Sequence, residues 1–457
     1  MKTVIMAGGQ GKRLVQQPGS AWQDLPKPLV PVAGVPILER EIDALRQQGF
    51  TDIIMTVSYL GDAIEAYFGD GNKISPVTGK PFGVQIKYFR EGVPLGNAGA
   101  LLKLRDELTE DFLLLNADML FDVDLSRFEA FHSKHGGLAT LFAHPNSHPY
   151  DSGLLVADEE GCVTQWLTKE EPRPKYYSNR INAGLHILSP QALDICGIAP
   201  ERVGIQDDVT GKILKVDLDR NILKPLAGSG KMFCYDSSEY VKDMGTPERH
   251  FKVEQDLESG LAQSRNLKNK QRAIFLDRDG TINRYNGYVA RTEDFELLPG
   301  VAEAIRNINN SSFLCIVITN QPVVARGELA VDGLEEIHRK METLLGQQGA
   351  YVDALYYCPH HPDRGFPGEV PELKIKCDCR KPDIGLIRRA AEKYNIALES
   401  SWFIGDGWRD IGCGNNANMH TCLLTGGEGV TQDCGQELTC SSLLEAIDII
   451  FAKEEVQ

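Results

Sequence analysis

Three groups of residues in this chain have types and spacings suited to chemistry. The first starts at Gly8-Gly9-Gln10-Gly11-Lys12-Arg13, directly after the apolar stretch Thr3-Val4-Ile5-Met6. Glycine carries no Cβ, so backbone amides in such a loop can approach phosphate oxygens, and Arg13 can add a bidentate donor. Leu25-Pro26-Lys27-Pro28-Leu29 then fixes one lysine between two prolines, and Leu95-Gly96-Asn97-Ala98-Gly99-Ala100 is a second glycine turn opening a helix. Asn116-Ala117-Asp118 ends an apolar run, and Asp243-Met244-Gly245-Thr246-Pro247 leads into another helix. The second group is Asp277 and Asp279, one residue apart after Ala273-Ile274-Phe275-Leu276, with a turn at Gly280 that lets both carboxylates face one cavity. Thr319, Lys381 and Asp406 follow, each at the junction of an apolar strand or a helix. The third group is Cys358-Pro359-His360 and Cys377-Asp378-Cys379, separated by a loop rich in Pro and Gly. C-x-H with C-x-C supplies the four soft or borderline ligands of a closed tetrahedral zinc site, with His361 competing for the histidine position.

The elements that must hold these groups are legible as apolar periodicity. Thr3–Met6, Ile53–Val57 and Phe112–Leu115 predict strands, and Ile37, Leu38, Ile42 and Leu45 recur at helical spacing between the first two. That is the βαβ rhythm of a parallel sheet. Residues 247 to about 260 predict a helix, and 261–271 turns polar and basic without periodicity, as a linker does. Strands are then expected at Ala273–Leu276, Leu314–Ile318 and Trp402–Ile404. Helices are expected after Pro299-Gly300, with Ala302, Ile305 and Ile308 on one side, and from Pro382. The fold class is α/β: two Rossmann-like domains with mainly parallel sheets, 1–260 and 272–457, the second with a zinc-binding loop. Chemistry belongs at the carboxyl ends of the strands of such sheets.

Composition agrees with two globular domains. The chain has 457 residues, 42% of them hydrophobic, with 48 Lys+Arg against 64 Asp+Glu and a formal net charge of -16. An acidic balance excludes a phosphate-backbone binder, whose affinity needs clustered Lys and Arg. No apolar run approaches the roughly 20 residues that span a bilayer, and Met1–Gly9 has too short an apolar run for a signal peptide. A cytoplasmic location is expected. The 11 cysteines are odd in number and most stand singly, as at Cys162, Cys196 and Cys234, which suits small core residues in a reducing compartment.

The first group, in its order, resembles the sugar-1-phosphate nucleotidyltransferases over about residues 1–255. The resemblance implies that Gly8, Gly9, Gly11 and Arg13 hold the nucleotide triphosphate and that Lys27 contacts a phosphate in the reaction centre. Gly96, Asn97 and Gly99 would contact the base and sugar, Asn182 and Gly184 in Asn182-Ala183-Gly184 the sugar, and Asp118 with Asp243 would hold Mg²⁺. Lys12 stands where the family usually has Thr or Ser, and Ala117 where it has Gly.

The second group resembles the haloacid-dehalogenase superfamily of phosphatases. By that resemblance Asp277 is the nucleophile, Asp279 the general acid and then base, Thr319 and Lys381 hold the phosphoryl group, and Asp406 joins Asp277 and the Asp279 backbone around Mg²⁺. The zinc loop followed by Arg380-Lys381-Pro382 resembles the heptose 1,7-bisphosphate phosphatases, with histidinol-phosphate phosphatases as relatives. The family uses the first histidine, His360, and places Asn320, Gln321 and Arg380 at the substrate. Gly407 stands where the heptose enzymes tend to have a lysine.

Together the resemblances imply consecutive steps: loss of the C7 phosphate of a heptose 1,7-bisphosphate, then transfer of GMP from GTP to the heptose 1-phosphate. Mg²⁺ would serve both sites and Zn²⁺ the loop. Partners would be small molecules, with neither nucleic acid nor membrane, and a homo-oligomer is compatible. The alternatives are another nucleotide or a hexose 1-phosphate such as mannose 1-phosphate, a histidinol phosphatase as the second half, or a first half that only binds nucleotide as a regulatory module.

Overall fold

Val4 and Ile5 are neighbours in one strand, yet both are fully buried, in different apolar clusters on opposite faces. A strand buried on both sides belongs in the middle of a parallel sheet covered by helices. In the computed structural model, β1 (Lys2–Met6) takes that place, parallel to β2 (Asp52–Val57) and to β4 (Phe112–Asn116). β3 (Gln85–Arg90) extends the sheet beyond β2, and β6 (Ile181–Leu188) runs antiparallel to β4. The whole sheet has nine strands. The helix α1 (Ile37–Gln47) buries Ile37, Leu38, Ile42 and Leu45, the spacing read from the sequence. A separate antiparallel ribbon pairs β5 (Met119–Asp122) with β7 (Tyr240–Asp243), and α3 (Pro247–Glu258) follows it, while α2 (Gly99–Lys103) opens at the second glycine turn.

The same logic builds the second sheet. Ile274 and Leu276 of β8 (Arg272–Leu276) face one apolar cluster, Ala273 and Phe275 the other. Each fully buried Leu, Ile or Phe contributes about 1.5–3 kcal/mol. β8 is central in a six-stranded parallel sheet with β9 (Phe313–Asn320) and β10 (Ala354–Cys358) to one side. β11 (Trp402–Gly405), β12 (His420–Leu424) and β13 (Leu438–Cys440) lie to the other. The helices α4 (Val301–Asn309), α5 (Val331–Gln347), α6 (Gly385–Tyr394), α7 (Trp408–Asn416) and α8 (Leu443–Glu454) belong to this half.

The described residues are all except 10, 12, 17–20, 207–210, 286, 427–432 and 455–457, so Gln10 and Lys12 of the first glycine loop lie outside them. Among the described residues no helix is long and apolar enough to cross a membrane. Two compact units result: Met1–Ala143, Leu155–Trp166 and Asn182–Asn266 form one; His144–Leu154, Leu167–Ile181 and Leu267–Gln457 form the other. Within the stretch 261–271, Leu261–Ser264 forms a short helix. The helix expected from Pro382 begins only at Gly385. The main chain of Lys381 is held by Asn320 through bonds of 3.0 and 3.1 Å, and Gly385 N–H donates to Asp378 at 2.8 Å, so residues 381–384 are tied into a turn first.

Candidate active sites

Pairing of β5 with β7 sets Asp243 opposite Met119, and Met244 N–H donates to the Asp118 carbonyl at 3.1 Å, so Asp118 and Asp243 are brought together. Lys27 Nζ donates directly to Asp118 Oδ2. Gly11, at φ +60°, lets the first loop lie on the Lys27 stem, since a Cβ there would stand 2.8 Å from Lys27 Cβ. Gly9 opens to free space, with nothing within 4 Å of an added Cβ, and Gly8 packs on Ser58. A Cβ at Gly245 would stand 2.7 Å from Asp243 Oδ1 and 3.2 Å from Arg13 Nη2, which places the Arg13 guanidinium beside that carboxylate. Arg249 Nη1 donates to both Asp243 oxygens at 3.1 and 2.9 Å. Burial pushes the Asp243 carboxyl up, but Arg249, the Gly245 N–H and Lys27 outweigh it and hold it below the usual range.

The other glycine positions are packing requirements as well. Gly96, at φ +86°, has the Val216 carbonyl where its Cβ would be, and Gly99 closes on Leu95 and Val203. Asn97 Oδ1 accepts from Leu218 N–H at 2.7 Å, so its carbonyl oxygen is committed to the loop. Asn182 Oδ1 accepts from Gly184 N–H at 3.2 Å and faces His186 Nε2 at 3.0 Å; Gly184 packs on Asn116, just before Asp118. Two carboxylates with three cations close by could hold a divalent ion and an anionic phosphate chain.

In the second unit, Lys381 is buried, forms ion pairs with Asp277 Oδ1 at 2.7 Å and Asp410 Oδ1 at 2.6 Å, and donates to the Ile318 carbonyl at 2.8 Å. Asp277, Asp406 and Asp410 each place a carboxylate oxygen within 4.8 Å of the others. Gly280, at φ +83°, is required here: a Cβ would stand 1.9 Å from Asp406 Oδ2. Burial, opposed by Lys381 and reinforced by the neighbouring carboxylates, pushes Asp277 up to about 7. Burial and Asp410 push Asp406 up to about 6, and against its burial Lys381 is raised by Asp277 and Asp410. The carboxylate of Asp279 does not join this group. It faces Arg278, Gln321 and Asn283. With all four ionised, Asp277, Asp279, Asp406 and Asp410 against the two buried cations Arg278 and Lys381 leave two negative charges, the charge that one divalent cation neutralises. Thr319 is buried at the end of β9, where its Oγ1 accepts from Gln321 Nε2 at 2.8 Å. Asn320 brackets the Lys381 main chain, and Arg380 Nη1 donates to the His360 carbonyl at 3.2 Å.

The third group comes together too. Cys358 Sγ lies 3.6 Å from Cys377 Sγ, 3.1 Å from Cys379 Sγ and 3.7 Å from His360 Nδ1, and Cys377 Sγ lies 3.2 Å from Cys379 Sγ. Those are close to the ligand–ligand edges of a tetrahedral thiolate site. His361 is turned away, edge-on to Phe366.

Sequence reasoning missed Asp410, although it stands four residues after Asp406 and one helical turn brings both to the same end of α7. It also missed Arg249, one turn into α3, and Glu41. Glu41 Oε1 accepts from Met119 N–H at 2.8 Å, and burial, helped by Asp118, pushes its carboxyl well up. Gly407, at the position where the heptose enzymes tend to have a lysine, caps α7 by donating to Asp410 Oδ2 at 3.1 Å.

Residues 2–260 match the nucleotidyl transferase family, and residues 378–446 the HAD-hydrolase-like family. The chain is 39% identical over 152 residues to the D-glycero-beta-D-manno-heptose-1,7-bisphosphate 7-phosphatase of Escherichia coli K12, covering 33% of this chain and 78% of that one. It is 32% identical over 184 residues to the enzyme of the same name from Haemophilus ducreyi, covering 39% of this chain and 98% of that one. The crystal structure of HddC from Yersinia pseudotuberculosis, 25% identical, aligns with 56% of this chain and 99% of that one at a TM-score of 0.43. The chain belongs to the nucleotidyl transferase family and carries, after that domain, a HAD-like phosphatase domain akin to the heptose-1,7-bisphosphate phosphatases.

Proposed function

We propose that the chain performs two consecutive steps. The phosphatase half converts D-glycero-D-manno-heptose 1,7-bisphosphate and water into heptose 1-phosphate and phosphate. The nucleotidyltransferase half converts heptose 1-phosphate and GTP into GDP-heptose and pyrophosphate. The observation that carries this reading is the kinship of the second half with heptose-bisphosphate phosphatases in one chain with a nucleotidyl transferase domain. The product of the first reaction is the kind of acceptor the second uses. The choice of GTP is supported by the likeness of the first half's motifs to heptose- and mannose-1-phosphate guanylyltransferases.

In the phosphatase half, an Asp277 oxygen attacks phosphorus and the bond to the sugar oxygen breaks, with the proton of Asp279 going to that oxygen. Water then attacks the aspartyl-phosphate and gives its proton to Asp279, which restores Asp277 and releases phosphate. Lys381 favours the ionised nucleophile, and the Thr319 hydroxyl binds a phosphoryl oxygen. Asp277, Asp406 and Asp410 would hold Mg²⁺, whose charge neutralises and orients the phosphoryl group. In the first half, Arg13, Lys27 and the glycine-loop amides hold the triphosphate in line with the sugar phosphate, and charge neutralisation does the rest. Asp118 and Asp243 would hold the Mg²⁺ there, and Cys358, His360, Cys377 and Cys379 would hold a structural Zn²⁺. The location proposed is the cytoplasm, with small molecules as partners.

Mass spectrometry of reactions containing heptose 1,7-bisphosphate and each of four nucleoside triphosphates tests the whole. GDP-heptose and pyrophosphate are expected with GTP. A nucleotide never consumed would leave the first half as a binding module, and a different nucleotide would replace GTP.

A pH dependence follows from the acid cluster. Asp277 and Asp406 are pushed up to about 7 and about 6, so below those values a proton competes with the metal. The Mg²⁺ concentration for half-maximal phosphatase activity should rise at least about tenfold from pH 8 to pH 5.5. A constant requirement over that range would show that these carboxylates do not hold the ion.

A further inference from the structure

Arg278, between the two acids of the first phosphatase loop, has no exposed side-chain surface. Arginine almost never buries completely unless paired. Its Nε and Nη2 donate to Asp279 Oδ1 at 3.1 and 2.9 Å, and Nη2 also reaches Asp279 Oδ2 and Gln321 Oε1, each at 3.0 Å. Gln321 Nε2 closes the ring by donating to Asp279 Oδ2 at 2.8 Å and to Thr319 Oγ1 at 2.8 Å, and Asn283 Nδ2 donates to Asp279 Oδ1 at 3.0 Å.

Neighbouring side chains of an extended strand point apart, so this contact depends on the turn that follows. Ile282 and Asn283 N–H groups both donate to the Arg278 carbonyl, at 2.8 and 3.0 Å, and Gly280 N–H donates to the Asn283 carbonyl at 2.8 Å. The turn folds the guanidinium back over the next residue. Burial, and then the charges of Arg278 and Arg339, hold His338 of α5 well below the ordinary histidine range. Among the described residues, Asp279 is the only carboxylate that pairs with Arg278.

We propose that Arg278 is a positioning residue for the phosphatase reaction: its guanidinium fork, tied through Gln321 to Thr319, fixes where the Asp279 carboxyl group stands relative to the leaving oxygen. The proposal rests on the role given to Asp279 above. A displacement of about 1 Å at such a group can cost 10²-fold, and positioned general acid catalysis is worth roughly 10²–10⁴-fold. The sugar alkoxide needs that proton, whereas the phenolate of p-nitrophenyl phosphate leaves without it. Arg278→Lys keeps the charge but loses the fork; Arg278→Met loses both and removes a buried cation.

The test compares kcat/KM for heptose 1,7-bisphosphate and for p-nitrophenyl phosphate in the two variants, each checked for a native circular dichroism spectrum. The expected result is a loss of about 10²-fold or more on the sugar substrate and less than about fivefold on the aryl one, with Arg278→Lys less affected than Arg278→Met. Equal losses on both substrates, or no loss on either, overturn the proposal. Asp279→Asn run alongside separates the two claims. If that variant still hydrolyses the sugar phosphate, the Asp279 role fails. If it does not, yet the Arg278 variants keep the wild-type ratio, only the positioning claim fails.

Discussion

Asp277→Asn should abolish phosphatase activity, by at least about 10⁴-fold in kcat, as removal of a covalent nucleophile does, while the chain stays folded. The amide has the shape of the carboxylate but cannot form the aspartyl-phosphate. Lys381 keeps Asp410 at 2.6 Å and the Ile318 carbonyl at 2.8 Å, so the buried cation is not left alone. Stability has a definite sign. Burial pushes Asp277 up to about 7, well above an unfolded carboxyl, so its charged form destabilises the fold and stability falls as pH rises from about 4 to about 7. The neutral amide removes that loss, and metal-free Asp277→Asn should melt no lower than wild type at pH 8. The nucleotidyltransferase reaction, supplied directly with heptose 1-phosphate, should proceed at the wild-type rate. Normal production of heptose 1-phosphate from the bisphosphate by this variant would refute both the assigned nucleophile and the order of steps.

The six strands expected from the sequence were readable because their apolar runs are buried on both faces, whereas Gln85–Arg90 and Leu438–Cys440, partly exposed, carry no such run. Val4 with Ile5, and Phe275 with Leu276, illustrate this: consecutive apolar residues have no solvated face to alternate with. What escaped the sequence depends on partners far away in the chain. Asp410 looks like any first-turn acid of a helix until Lys381, twenty-nine positions earlier in number, is found between it and Asp277. Arg278 reads as a solvated charge until its turn folds it inward. The segments 144–154 and 167–181 group with the second unit through contacts such as Asn179 N–H to Glu342 at 2.9 Å, which no local pattern foretells. His360 stands among the three cysteine sulfurs, whereas His361 turns to Phe366, a difference of direction that no local pattern foretells.

On the zinc site proposed above, Cys377→Ser should lose the metal and with it the phosphatase, leaving the nucleotidyltransferase rate within about twofold of wild type. Between Cys358 and Cys377 only His361 and Lys374 are buried, and the regular structure is one short turn at Pro371–Leu373, so the loop has no apolar core of its own. Burial pushes the Cys379 thiol up to about 11 and the Cys358 thiol higher, so without a cation these two would be neutral thiols, which are weak donors and hold little together. Zinc turns them into thiolate ligands, and such a site contributes an apparent binding free energy of roughly 10–16 kcal/mol to folding. Elemental analysis should therefore find one zinc per wild-type chain and almost none in the variant. The consequence reaches the chemistry along a short path. Cys379 leads directly into Arg380, which is fastened to the His360 carbonyl at 3.2 Å, and Lys381 next to it carries the ammonium group 2.7 Å from Asp277. A loop released from its metal lets that lysine move, and the carboxylate that it favours in the charged form is the one that must attack. Full activity in a zinc-free chain would mean that the Asn320 bracket on Lys381 suffices alone, and the cluster would then have no part in placing the lysine.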